Sequence, residues 1–199
     1  MNTSPTPQLA CTYILRQSLR RSSGFSLVEL LIVLAVVALL LTFAVPSLSG
    51  MLQSSRLTAA SNALLASMHL ARGEAIKRNS RVVLCKSENG LTCSSTGGWE
   101  QGWIVFHDLN NNGDRDSGET LIERIPPLPS TVTLTGNSTV AKYVSFMATG
   151  ATKLIGGGFQ AGTLTVCNVP SSAGEARQVV INAVGRPRVQ RVAAASACA

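Results

Sequence analysis

Phe25 to Val45 is a run of 21 residues, nearly all apolar, in which Glu29 is the only charged side chain. At about 1.5 Å per residue, a helix of this length matches a bilayer core of roughly 30 Å. A secretory signal is cut after its apolar stretch, behind small residues. Here the basic and small residues, Arg20, Arg21, Ser22, Ser23 and Gly24, stand before it. Cleavage at Gly24 would therefore leave the apolar helix on the mature chain. Arg16, Arg20 and Arg21 precede the run and the next basic residue is Arg56. The positive-inside rule then keeps the N-terminus cytoplasmic and sends everything after Val45 outward.

An ionisable group inside a membrane helix is expensive and usually has a partner. Glu29 lies one helical turn from Phe25, and cleavage after Gly24 would give Phe25 a free amino group, a cation at matching depth on a neighbouring copy. At Gly24, Phe25, Ser26, Leu27, Val28 and Glu29, with Pro46 farther on, the chain resembles the type IV pilins and type II secretion pseudopilins. The resemblance implies a prepilin peptidase that cuts after Gly24 and methylates the new terminus at Phe25. It also implies that Glu29 helps recruit and register other pilin subunits in a filament, after storage in the inner membrane with a periplasmic head. The leader, residues 1–24, is longer than many in that family.

The net charge of +7 is unevenly spread. Residues 25–119 carry seven basic and eight acidic side chains, whereas 120–199 carry seven basic and two acidic. Cationic character belongs to the C-terminal part. Cys11 falls in the leader, and Cys85, Cys93, Cys167 and Cys198 remain for an exported, oxidising compartment. Four cysteines allow three pairings, which sequence does not resolve. Cys85–Cys93, closing a hairpin loop, with Cys167–Cys198, pinning the C-terminus, is the expected set. A zinc site is the rival, but no C-x₂-C pair is present.

From Leu48 to Ala71, apolar and small residues recur at spacings of three and four: Leu48, Met51, Leu52, Ser55, Ala59, Ala63, Leu64, Ala66, Leu70 and Ala71. This predicts one long helix from Ser26 to about Lys77, kinked but not ended by Pro46. Strands are expected at 81–86, 102–108, 120–125, 131–135, 142–148, 162–168 and 177–184. Pro126, Pro127 and Pro129 divide them into two groups. A helix followed by antiparallel strands is an α+β architecture. The organisation is thus a leader (1–24), a membrane helix (25–46), an amphipathic continuation (47–80) and a β-rich head (81–199). The pattern agrees with the pilin fold and most resembles the GspH/FimT group of minor pilins and pseudopilins. Residues 24–80, the run from Trp103 to Glu119, and Gly185-Arg186-Pro187-Arg188 carry that resemblance.

Residues 108–119 fit a calcium-loop template, with Asp108, Asn110, Asn112 and Glu119 as oxygen donors and Gly113 at the turn. Strands rather than helices flank it, and Asn, Asp and Gly equally suit a long hairpin turn. The turn reading is preferred, so no metal or cofactor is expected. His69 and His107 have no neighbours suggesting chemistry, and no catalytic constellation or enzyme is read here. Trp99 and Trp103 read as core or turn residues.

The remaining feature is GRPRVQR, 185–191. Arg186 and Arg188 lie two apart and would share a side of an extended segment, while Pro187 suits an edge. Guanidinium groups present forked donors that match phosphate oxygens. The GR-x-R pattern resembles that of DNA-binding FimT-type minor pilins, which capture DNA for natural transformation. The resemblance makes Arg186 and Arg188 the motif arginines, with Arg191, Arg177 and Lys153 as further contributors to DNA-backbone contact. The competing expectation is a structural or priming minor pilin, or a GspH-like secretion pseudopilin, with no nucleic-acid role.

Overall fold

The computed structural model describes residues 24–169 and 174–198, with the side chains of 43–47 and 49 left aside. The leader with Cys11, Arg16, Arg20 and Arg21 lies outside the described residues, as does the side chain of Pro46. Two compact units divide at Val45 and Pro46.

In the first unit the chain enters helix α1, Leu27–Arg78. Ser26 starts it: its Oγ accepts the Glu29 backbone N–H at 3.1 Å, the geometry of an N-terminal cap. Ser26 and Glu29 have the S-x-x-E spacing of a capping box, and the Glu29 carboxylate suits the positive end of the helix dipole. Sequence reading gave Glu29 an assembly role and overlooked this local one. Leu30, Leu34, Leu39 and Leu40 are all more than half exposed. Counted on the described residues, no helix is long and apolar enough to cross a membrane.

Among the described residues, the second unit contains the rest of α1 and eight strands in two antiparallel sheets. The first sheet has the order β3 (Leu121–Ile125), β2 (Trp103–His107), β1 (Val82–Lys86), β5 (Tyr143–Phe146). The second has the order β4 (Val132–Gly136), β6 (Gly162–Asn168), β7 (Glu175–Ile181), β8 (Pro187–Ala193). A short helix α2, Ala194–Ala197, ends the description. The prolines at 126–129 do not separate the sheets cleanly, because β5 returns to pair with β1. Of GRPRVQR, Pro187 to Arg191 lie in β8 at the edge of the second sheet, a strand absent from the sequence-based expectation, while Gly185 and Arg186 belong to the turn before it.

One core joins both sheets to α1: Leu57, Leu64, Met68, Ala71 and Ala75 meet Leu84, Trp103, Val105, Leu134, Val166 and Val179. The expected helix stripe is corrected here. Leu64 and Ala71 are buried, but Met51, Leu52, Ala59, Ala66 and Leu70 face outward. A helix rich in Ala and Ser offers several stripes of similar apolarity, and the sheets select the one whose large residues fit. Two smaller clusters cover the sheets' other faces, one around Cys85 and Phe106 and one around Cys167 and Ala176. The disulfides are Cys85–Cys93 and Cys167–Cys198, the expected set. All buried clusters and both disulfides lie in 46–199, so this unit carries its own core and closes on itself.

Candidate nucleic-acid interface

The β7–β8 connection is built to hold Arg186. Asn182 Oδ1 accepts the Arg186 N–H at 2.9 Å, and the Gly185 N–H donates to the Asn182 carbonyl at 2.9 Å. Gly185 takes φ +76°, open to glycine and strained for other residues. Its backbone approaches so closely that a Cβ there would sit 2.0 Å from the Gly150 carbonyl oxygen. The 150–152 stretch is bonded to the same turn: Thr152 N–H donates to Ala183 O at 3.1 Å. The Thr152 hydroxyl lies within reach of Gln160 O at 2.6 Å and Asn182 O at 2.9 Å. Arg72 of α1 completes the buttress, its Nε donating to Gly150 O at 3.1 Å.

From that anchor β8 runs along β7 with Arg188 opposite Val180 and Arg191 opposite Arg177. Val189 packs into the main core, so residues of its parity, Arg191 included, belong to the inner face of the sheet. Arg188 and Gln190 point the other way. That outer face is neutral and polar: Gln190 Nε2 donates to Gln178 at 2.9 Å, and Gln178 Nε2 to Thr165 Oγ1 at 3.4 Å. The far end of β8 is held where the Cys167–Cys198 bond, with Cα atoms 5.9 Å apart, ties α2 back to β6.

Arg186, Arg188 and Arg191 are exposed, as is Lys153, adjacent to Thr152. None has an ion-pair partner among the described residues. From Arg124 onward the sequence has one acid, Glu175. That carboxylate is engaged, 2.9 Å from Arg177 Nη1, and Arg177 also reaches Ser54 Oγ at 3.4 Å. Arg177 is only 3% exposed. The expectation that it joins the basic edge is therefore wrong: it faces inward and is paired. Arg191 is exposed on the opposite face from Arg188; Arg186 and Arg188 stand at the start of β8, and Lys153 follows Thr152, which is bonded to Ala183 and Asn182 of the β7–β8 connection. Sequence spacing found the arginines but not the Gly150–Gly185 contact that seats them. The only signal was a glycine at each position.

The 108–119 loop is tied up internally. Asp108 is buried and accepts backbone N–H bonds from Asn112 and Gly113, both at 3.1 Å. Glu119 accepts from the backbone of Leu109 at 2.7 Å and Asp116 at 3.1 Å. Asn111 and Gly113 take positive φ, as a long hairpin turn requires. Among the described residues no group of His, Cys, Asp and Glu is arranged to hold a metal ion. Burial, and then the nearby Glu119 charge, push the Asp108 carboxyl above the ordinary carboxylate range, against the bonds from Gly113 and Asn112. The folded chain thus keeps this proton to higher pH than the unfolded chain. The associated stability is present at acid pH and lost as pH rises from about 4 through the folded pKa. In thermal melts of the 46–199 unit, the Tm of wild type minus that of Asp108→Asn should fall as pH rises above about 4. A gap independent of pH would refute the raised pKa. Asp108→Ala, which frees two buried N–H groups, should cost about 1–3 kcal/mol.

His69 is exposed on α1, and His107 ends β2 with no hydrogen-bond partner for Nε2 among the described residues. Trp99 and Trp103 are fully buried.

A family model described as type II transport protein GspH matches residues 60–185. A model of the prokaryotic N-terminal methylation motif matches residues 19–45. Among solved structures, the type IV minor pilin FimU of Pseudomonas aeruginosa aligns with a TM-score of 0.51 at 20% identity, covering 73% of this chain and 94% of that one. The minor pseudopilin EpsH from the type 2 secretion system of Vibrio cholerae aligns with a TM-score of 0.47 at 10% identity, covering 68% and 96%. A search of curated proteins found no match. The FimU likeness concerns the fold.

Proposed function

The chain belongs to the GspH family, and from that premise we propose that it is a minor type IV pilin whose basic edge binds extracellular DNA during natural transformation. The family is one of structural pilins and pseudopilins, and proteins with the N-terminal methylation motif are anchored in the membrane before assembly. In this reading prepilin peptidase cuts after Gly24, Phe25 becomes the methylated terminus and Glu29 registers the subunit among its neighbours. The observation that supports DNA as a partner is the pair Arg186 and Arg188, exposed at a sheet edge fixed at both ends, in a C-terminal stretch whose one acid, Glu175, is paired with Arg177 at the far end of β8. Their guanidinium forks suit phosphate oxygens, and such contacts carry no base information. Lys153 supplies a third cation in the same corner.

Gel shifts of the oxidised 46–199 unit on duplex DNA test this. Three phosphate contacts give a log–log salt slope of roughly −2 to −3. Arg186→Gln with Arg188→Gln should lower affinity about tenfold at low salt and flatten that slope by about 2. No binding at about 50 mM salt would remove the DNA role and leave a structural minor pilin or secretion pseudopilin of the same family.

A further inference from the structure

Phe159 is 85% exposed, more than any other large apolar side chain among the described residues. It contributes nothing to the core, and its surroundings leave it open. Gly156, Gly157 and Gly158 precede it, and a Cβ built at Gly156 or Gly157 would meet nothing within 4 Å. Beside the ring lies a shallow groove of about 370 Å³, lined by Met147, Ala148, Thr149, Thr152, Lys153 and Phe159. Phe159 pairs directly with Lys153 in an isolated antiparallel bridge. Directly opposed residues on an antiparallel pair project from the same side, and both side chains line this groove. Lys153 in turn follows Thr152, which is bonded to the turn that carries Arg186.

An exposed ring with a lysine opposite it and a run of glycines before it has the makings of a stacking platform beside a cation. In a duplex the base faces are covered by their neighbours and offer a ring nothing to stack on. An unpaired strand presents every base face, and the contact is indifferent to sequence. We infer that Phe159 stacks on a base of unpaired DNA while Lys153 and Arg186 hold the adjoining phosphates, so that this corner engages single strands or frayed ends as well as duplex. This inference rests on the DNA-binding reading above and names the form of DNA the corner takes.

The test is fluorescence anisotropy of the oxidised 46–199 unit with labelled oligo(dT) and with a blunt duplex of equal length, at one low salt concentration. Phe159→Ala should weaken oligo(dT) binding by about tenfold and leave duplex binding within about twofold, whereas Phe159→Trp should retain both. The ring is exposed, so the melting temperature should not change. Equal weakening on both DNAs, or none on oligo(dT), overturns the stacking role. The second result is also what a platform for a neighbouring protein subunit would give. If wild type binds neither DNA, the underlying reading fails too. If duplex binding depends on Arg186 and Arg188 but oligo(dT) ignores Phe159, only the present inference falls.

Discussion

Trp103→Ala should lower the melting temperature of the 46–199 unit by about 6–20 °C, from a loss of roughly 3–5 kcal/mol at about 2–4 °C per kcal/mol. Trp103 is fully buried between α1 and the first sheet. Its indole Nε1–H donates to Ser67 Oγ at 3.0 Å, and the Ser67 hydroxyl donates to Glu123 Oε2. Helix, β2 and β3 are thus linked by one polar chain running through an apolar core. Alanine would remove most of the ring volume and strip Ser67 of one of its two partners. Trp103→Phe helps separate the two effects, because it removes the N–H donor while keeping much of the ring volume. Its cost should be about 1–2 kcal/mol. Equal losses for the two variants would mean that the hydrogen bond, not the packing, dominates at this position.

The architecture was readable because its signals are local. Long helical periodicity, short β-rich runs and glycine or proline breaks point to seven of the eight strands to within a few residues, but not to β8, whose Pro187 and arginines lack the apolar alternation of a strand. The helix face was not readable. Leu57 and Met68 occupy the buried stripe, while Leu52 and Leu70, as apolar by composition, do not. Choosing between such stripes needs the sheets, which are distant in sequence. The basic edge divided in the same way. Arg186 and Arg188 were found from a two-residue repeat within a seven-residue stretch, whereas Arg177 looked equivalent and is not. Its side chain points inward because β7 has Val179 and Ile181 of the same parity in the core. Phe159 carries no local signal of its exposure either. An apolar residue is assumed to be buried until its neighbours are known.

Gly185→Ala should destabilise the unit by about 3–5 kcal/mol, the second large effect, and should act where the proposed interface is seated. An L-residue in the left-handed region costs roughly 1–2 kcal/mol. The remainder comes from the Gly150 carbonyl, 2.0 Å from the new methyl. That neighbour is backbone, held in turn by Arg72, so it cannot swing aside as a side-chain tip would. The β7–β8 turn would have to lift, breaking the Thr152-to-Ala183 bond and loosening the Asn182 anchor of Arg186. Gly157→Ala is the control, since Gly157 has φ +98° but nothing within 4 Å of its missing Cβ. It should therefore show the backbone strain alone, about 1–3 kcal/mol. Hydrogen exchange locates the damage: the amides of Thr152, Gly185 and Arg186 should lose protection in Gly185→Ala and keep it in Gly157→Ala. If both variants melt together and those amides stay protected, the contact between the two glycines does not hold the turn.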